Sequence, residues 1–338
     1  MRAFVVDRYG TDRVVPTVIA DPTIGGADVL VRVHAASINP LDTMTRAGEF
    51  KRLIKRRPPF VLGHDLAGVV TEVGAEVRDI AVGDEVYSRP RDSNIGTFAE
   101  YLAVDREDVA LKPRSLTFEE ASAVPLVSLA AWQILVERAQ VQPGQKVLVH
   151  AGAGGLGSTL IQLAKHLGAT VATTCNAGTA DLVRTLGSDI VIDHRAENFA
   201  EVISDYDLVI DSVGGDNLQR SLTVLRKGGL AIGVAGPPDA AFAHQVGAPR
   251  PLALVMHLLS RRVRRRAERL GVTYEFFFMR ASGAQLRELA ALYDSGALRP
   301  VLDRTFAFDQ TPEAMAYVEQ RRPTAGKVVV SMGLPGTG

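Results

Sequence analysis

The segment Val147–Gly157, VLVHAGAGGLG, sets Gly152, Gly154 and Gly157 in a G-x-G-x-x-G spacing, with Gly155 as a further glycine. Each position answers a steric demand. Gly152 permits a tight turn, Gly154 lets a pyrophosphate reach the main chain, and Gly157 lets a helix pack close to a strand. The free N–H groups and positive dipole end of that helix then hold the phosphates. The spacing alone is common. Here the apolar VLV precedes it and the helical STLIQLAKHLGA follows it. That strand–turn–helix setting points to a dinucleotide site rather than an ordinary strand–helix turn.

The end of the next strand discriminates between dinucleotides. An acidic residue there, about 20 residues beyond the glycines, binds the ribose 2′-OH of NAD. The strand ATVATTC ends at Cys175 and is followed by Asn176, Ala177, Gly178 and Thr179; no carboxylate occurs before Asp181. Small polar groups leave room for a 2′-phosphate, and His194 and Arg195, after the strand SDIVID, stand within reach of the same ribose. NADP(H) is the expected cofactor. The competing reading has Asp181 reaching the ribose from its helix.

These residues need a scaffold, and the chain is long enough for two domains. It has 338 residues, 46% of them hydrophobic, with 38 basic and 38 acidic side chains. Zero net charge disfavours a partner held by charge alone, such as nucleic acid. A single cysteine, Cys175, excludes an internal disulfide and suits a reducing, cytoplasmic setting. The N-terminus lacks the signal-peptide pattern, and no apolar run reaches the ~18 residues of a membrane span, so no membrane partner is expected.

The first 120 or so residues are rich in β-branched side chains broken by Gly, Pro and Asp. Strands are predicted at Ala3–Val6, Val29–Ser37, Ala67–Val73, Asp84–Tyr87 and Ala99–Val104. From about Leu116 the pattern becomes helical, FEEASAVPLVSLAAWQILVERA. Strands KVLVHA, ATVATTC, DIVID, DLVIDSVG and GLAIGVAG then alternate with helices, which implies a parallel sheet covered on both faces. GVTYEFFFMR is predicted as a sixth strand, ASGAQLRELAALYDSGAL as a helix. The terminal RRPTAGKVVVSM ends in a strand that can return to the first domain.

Several motifs in order resemble the medium-chain dehydrogenase/reductase superfamily, most closely its zinc-free quinone oxidoreductase-like branch. They are AASINPLDTMTRAG (Ala35–Gly48), VLGHDLAGVVTEVG (Val61–Gly74), VGDEVY (Val82–Tyr87), the glycine loop, LVRTLGSDIVIDHR (Leu182–Arg195), DSVGG (Asp211–Gly215) and GKVVV (Gly326–Val330). The resemblance implies an α/β protein: a GroES-like β domain over 1–122, completed by 303–338, and a Rossmann domain over 123–302. It places nicotinamide and substrate in the cleft between them. It assigns the cofactor to Gly154, Gly155 and Leu156 at the pyrophosphate, to Asn176 on the 2′-phosphate side, and to His194, Ser212, Gly233 and Val234, with Lys327 toward the cofactor or the domain interface. His194 and Ser212 depart from the family's tyrosine and asparagine.

Zinc-dependent relatives carry ligands near the positions of Asn39, His64–Asp65 and Leu126. Only His64 and Asp65 remain, fewer than the three protein ligands of a catalytic zinc. No metal site is expected. Without a Lewis acid, the substrate should already be electrophilic: a quinone or an α,β-unsaturated carbonyl. Hydrogen-bond donors must then stabilise charge developing on the carbonyl oxygen. Asn39 is the first candidate, toward carboxamide or substrate oxygen, against a structural turn before Pro40; Arg46 is the second, facing substrate or else solvated or paired. Asp42 is expected to hold the loop through Arg46 or main-chain N–H groups. Met44 stands where some quinone reductases have tyrosine, so the proton donor is open.

The reading is thus an NADPH-dependent, zinc-independent reductase of quinones or activated C=C bonds. A pathway-specific enoyl reductase shares every motif, and a noncatalytic NADPH-binding sensor or scaffold is the alternative from another class. The arginine run SRRVRRRAER (Ser260–Arg269) is taken as a solvated helix face rather than a nucleic-acid site. The resemblance implies an edge strand of the Rossmann sheet paired with its twofold mate, and the apolar EFFFM segment, which would otherwise risk aggregation, suits such a homodimer.

Overall fold

The computed structural model describes residues 1–10, 14–49, 51, 57–320 and 324–333. The chain divides into two compact units: Met1–Leu129 with Arg280–Gly338, and Ala130–Met279.

The first unit is built on antiparallel pairing. Strands β1 (Arg2–Val6), β2 (Val14–Val18) and β4 (Phe60–Val61) form a small sheet ordered β2-β1-β4. The larger sheet runs β15-β16-β3-β5-β6-β8: Leu302–Ala307, Lys327–Ser331, Asp28–Ile38, Asp65–Val73, Glu85–Ser88 and Val109–Leu111. Strand β3 is long enough to serve two partners along one edge. Its first half, Asp28–Arg32, pairs β7 (Tyr101–Asp105), and Ala35–Ile38 pairs β16. The C-terminal strand therefore does return to the first unit, antiparallel to β3. Its buried Val328, Val329 and Val330 join or flank the core of Val31, Val33, Ala36, Leu66 and Val86.

The second unit is a six-stranded sheet ordered β11-β10-β9-β12-β13-β14: Ile190–Asp193, Thr170–Cys175, Lys146–Val149, Tyr206–Asp211, Leu225–Gly233 and Thr273–Phe276. Every neighbouring pair is parallel. The order reverses between β9 and β12, which is where open parallel sheets bind ligands, beyond the strand ends. Val147, Leu148 and Val149 are fully buried, as a central strand covered on both faces requires.

Three expectations need correction. The helix predicted from Leu116 is broken: Phe118–Ala123 ends before Pro125, which opens a second helix, Pro125–Trp132, followed by a π-helical turn, Gln133–Arg138. Proline lacks the N–H to continue a helix, and its ring crowds the preceding turn, so the first helix stops at Ala123. The domain changes expected at 122/123 and 302/303 fall at 129/130 and 279/280. The reason is helix Gly283–Asp294, which anchors on the first unit. The buried Tyr87 hydroxyl donates to the Leu286 carbonyl (2.5 Å), and Ser128 and Tyr293 share a 2.8 Å hydrogen bond. Strands β2, β4, β8 and β15 have no counterpart among the predicted strands; β2 contains Pro16, which weakens a strand signal.

Candidate active site

In the second unit, Gly154 caps the helix Gly155–His166. The glycines are required for different reasons. A Cβ on Gly152 would lie 2.0 Å from Thr173 Oγ1, and one on Gly157 would lie 2.3 Å from the Ala151 carbonyl and 2.7 Å from Gly152 Cα. Both admit only hydrogen. A Cβ on Gly154 would meet nothing closer than the Ala151 carbonyl, at 3.3 Å. Gly154 is thus not crowded from inside, and its missing side chain leaves a main-chain surface open to a ligand. Gly155, Leu156 and Gly157 fill the first turn, whose N–H groups have no intrahelical acceptor. These residues fit a pyrophosphate.

Beneath the loop lies a buried polar network that the sequence reading missed. His150 Nδ1 meets Thr174 Oγ1 and His150 Nε2 meets Ser221 Oγ, each at 3.0 Å. Ser221 also donates to Asp211 (3.1 Å), which accepts from the N–H groups of Val213 and Gly214 and from Asn217. Burial pushes His150 down to about 4, with Asp211 opposing. The imidazole is therefore neutral near pH 7, and it ties β9, β10 and the helix after β12 together. Ser212 Oγ donates to the His150 carbonyl (3.2 Å), so it supports this corner as well as bordering it. Gly233 is glycine because Tyr274 passes 2.9 Å from where its Cβ would be; Val234 N–H returns to the Asp211 carbonyl.

The tips of β10 and β11 lie side by side, with Cys175 opposite Asp193. Asn176 follows directly and is exposed. His194 is held by two contacts to the Cys175 carbonyl, through its N–H (3.2 Å) and Nδ1 (2.9 Å), and Arg195 is exposed beside it. Asp181 is fully exposed and paired with Arg184 at 2.8 Å on its own helix. Cys175 is buried, and burial raises its thiol.

The first unit holds a second, ionic cluster. Strand pairing brings it together: Ser37 lies opposite Asp65 across β3 and β5, while Val328 lies opposite Ile38, so Lys327 falls beside Asn39. Asn39 is extended (φ −118°, ψ 153°) before Pro40, the first residue of the helix Pro40–Ala47. Asp65 Oδ2 accepts from Ser37 (3.0 Å), Asn39 Nδ2 (2.8 Å) and Lys327 (3.4 Å), and Oδ1 accepts from Leu126 N–H (2.8 Å). Lys327 also donates to Asn39 Oδ1 and to the Ile38 carbonyl (3.3 Å). An ammonium only donates and a carboxylate only accepts, so the Asn39 amide has one orientation. Asp42 accepts from Asn39 N–H (2.8 Å) and contacts His64 Nδ1 (2.6 Å). Asp42, His64 and Asp65 are all fully buried. Burial lowers the Lys327 pKa, and Asp65 and Asp42 oppose the shift.

Residues 25–114 match the alcohol dehydrogenase GroES-like domain, and residues 186–330 match the zinc-binding dehydrogenase family. A 2-methylene-furan-3-one reductase of Solanum lycopersicum is 35% identical over 98% of this chain and 79% of its own length. The chain belongs to the medium-chain dehydrogenase/reductase superfamily, in its quinone oxidoreductase-like branch. An NADPH-dependent alkenal/one oxidoreductase, chloroplastic, of Arabidopsis thaliana is 34% identical over 98% of the chain and 79% of the relative. The quinone oxidoreductase structure from Coxiella burnetii superposes with a TM-score of 0.85 at 29% identity, covering 98% and 99% of the two chains.

The positions where zinc-dependent relatives carry ligands are engaged by other partners in this chain. Among the described residues, no three His, Cys, Asp or Glu side chains converge to hold a metal. Both oxygens of Asp65 and of Asp42 already accept hydrogen bonds or pair with His64, and the Lys327 cation lies against Asp65. These residues do not fit a zinc site. Within the Asn39–Asp42–His64–Asp65–Lys327 cluster, His64 Nε2 is buried without a partner.

Two assignments change. Arg46, expected near substrate, is 4% exposed and directs Nη2 to both oxygens of Glu319 at 2.8 Å. It braces the helix Pro40–Ala47 and does not touch Asp42, whose partners are Asn39 N–H and His64. Lys327, expected at the cofactor, has its three N–H bonds matched by three acceptors within the cluster, leaving none for a ligand. Ser37 and Glu319 gain roles that no local pattern marked, while His64 and Asp65, singled out by the zinc-position motif, serve as buried hydrogen-bonding residues.

Proposed function

We propose that this protein is an NADPH-dependent, metal-independent oxidoreductase that reduces a quinone or the activated C=C bond of an α,β-unsaturated carbonyl. The observation that carries the reading is the orientation of Asn39. With Oδ1 held by Lys327 and one Nδ2 hydrogen held by Asp65, its second amide hydrogen remains as a fixed donor. A preorganised donor of this kind stabilises negative charge developing on a substrate carbonyl oxygen. Bound NADPH would supply the hydride. Gly152, Gly154, Gly155, Leu156 and Gly157 would hold its pyrophosphate, with Ser212, Gly233 and Val234 at the neighbouring strand ends.

The phosphate preference rests on the β10–β11 edge. Asp181, the carboxylate that would favour NAD, is turned to solvent with Arg184, and the residues that follow the paired strand tips, Asn176, His194 and Arg195, would offer a 2′-phosphate polar and basic partners. The printed names of the tomato and Arabidopsis relatives favour enone and alkenal acceptors; the Coxiella structure favours quinones. The buried, single Cys175 supports a reducing compartment, which we take to be the cytoplasm. Strand β14, at the edge of its sheet, is our choice for a homodimer contact.

Oxidation of NADPH and NADH, followed at 340 nm with 2-enones, alkenals and small quinones, tests the reading. Faster turnover with NADPH, on at least one acceptor class, is expected. Preference for NADH, or tight NADPH binding with no turnover on any acceptor, would overturn it.

A further inference from the structure

The helix Arg250–Leu270 in the second unit carries two unexplained features on one face. Its inner face, Met256, Ser260, Val263 and Ala267, is buried. Its outer face begins with Leu254, Val255, Leu258 and Leu259, all exposed; Leu254 and Leu259 keep 60% and 58% of their surface in solvent. The same face continues with Arg261, Arg262, Arg265, Arg266 and Arg269, which border a groove of about 510 Å³ with Leu258 and Gln219. The apolar residues and the arginines follow the same i, i+1, i+4, i+5 spacing, so they share one stripe.

Among the described residues none of the five arginines pairs with a carboxylate. Their neighbour Arg264 differs: it is turned inward to Ser260 and His257. Like charges at i, i+4 oppose each other within a helix, so the row calls for an external anion. Contiguous exposed aliphatic side chains on the same stripe call for an apolar partner. Nucleic acid would answer the first demand and not the second, since the stripe contains no aromatic platform for bases. A second copy fits poorly: a self-complementary contact would set arginines against arginines, or bury them against the aliphatic half.

We propose that this outer face of helix Arg250–Leu270 docks on an anionic lipid surface. The aliphatic turns enter the acyl boundary while the arginines hold headgroup phosphates, their stems lying along the interface. This is surface binding; no helix among the described residues is long and apolar enough to cross a membrane. It amends the expectation of no membrane partner, and it stands independently of which acceptor the enzyme reduces.

The test is sedimentation of the full chain with large unilamellar vesicles of phosphatidylcholine, and of phosphatidylcholine mixed with phosphatidylglycerol. The protein should follow the anionic vesicles, less so as salt is raised. Arg265→Gln with Arg266→Gln should weaken partitioning about 25-fold, at about five-fold per cation. Leu254→Ser with Leu258→Ser should release the protein as well. Unchanged thermal unfolding of both variants shows that each is folded. No sedimentation with anionic vesicles overturns the proposal, as does binding indifferent to both pairs of substitutions. Self-association lost on Leu254→Ser with Leu258→Ser, or capture of RNA or an acidic peptide, each without lipid binding, assigns the face elsewhere and overturns it too.

Discussion

On the proposed function, the glycine loop and the Asn39 cluster would serve a ligand in opposite ways. The loop keeps main-chain N–H groups and an uncrowded Gly154 open, and its own polar support, around His150, is neutral and lies beneath it. The cluster matches nearly all of its charges internally and leaves one oriented amide hydrogen. A cofactor bearing its own phosphates needs donors and space. A substrate that gains charge only during reaction needs a donor that cannot reorient, and the ion pair would supply that rigidity.

The sharpest way to break the contrast is at Asp65. Asp65→Asn would aim an NH2 group at existing donors and leave Lys327 a buried, poorly compensated cation. A loss of about 3–5 kcal/mol is expected from denaturant unfolding. A loss below about 1 kcal/mol would mean that the cluster is not a closed ionic unit.

Asn39→Ala removes the donor and keeps the ion pair. It should lower kcat/KM by about 100-fold or more, as removal of an oxyanion donor does, with NADPH affinity nearly unchanged. Equal turnover would remove Asn39 from the chemistry.

On the other side of the comparison, the neutral His150 makes the second unit acid-sensitive. Its folded value of about 4 lies below the ordinary 6.5. Between these values the unfolded chain binds more protons, so this contribution is complete above pH 6.5 and is lost as pH falls toward 4. The loss amounts to about 3 kcal/mol. His150→Gln should flatten that part of the stability–pH curve; an unchanged slope would contradict the assignment.

The smallest effects separate two glycines that the sequence treats alike. Gly157→Ala pushes a methyl into main-chain atoms and should cost about 1–3 kcal/mol. Gly154→Ala should leave thermal unfolding near the parent's while weakening NADPH at least about tenfold. If both variants lose only stability, Gly154 does not face a phosphate.

The same contrast explains what could be read from the chain. The glycine loop is contiguous, and its strand and helix follow at once, so local steric rules identify it. The Asn39 cluster joins side chains up to 288 residues apart. Asn39 stood out by its motif, but Lys327 read as a cofactor contact because nothing local reveals that β16 pairs with β3 in a register placing it beside Asn39. Arg46 misled for the same reason, its partner Glu319 lying on a distant helix. Helix Gly283–Asp294 was legible as a helix and misplaced as to unit, since its anchors, Tyr87 and Ser128, are remote in sequence. Pro125 lies inside an apolar run that reads as one helix, and there it opens a second one.

The central claim is that a closed Asn39–Asp65–Lys327 cluster, and not a metal, supplies the electrophilic donor. Turnover of chelator-treated protein, with metal content measured on the same sample, tests it most directly. The account predicts full NADPH-dependent activity at negligible zinc. Activity lost with the metal and restored by stoichiometric zinc would contradict it.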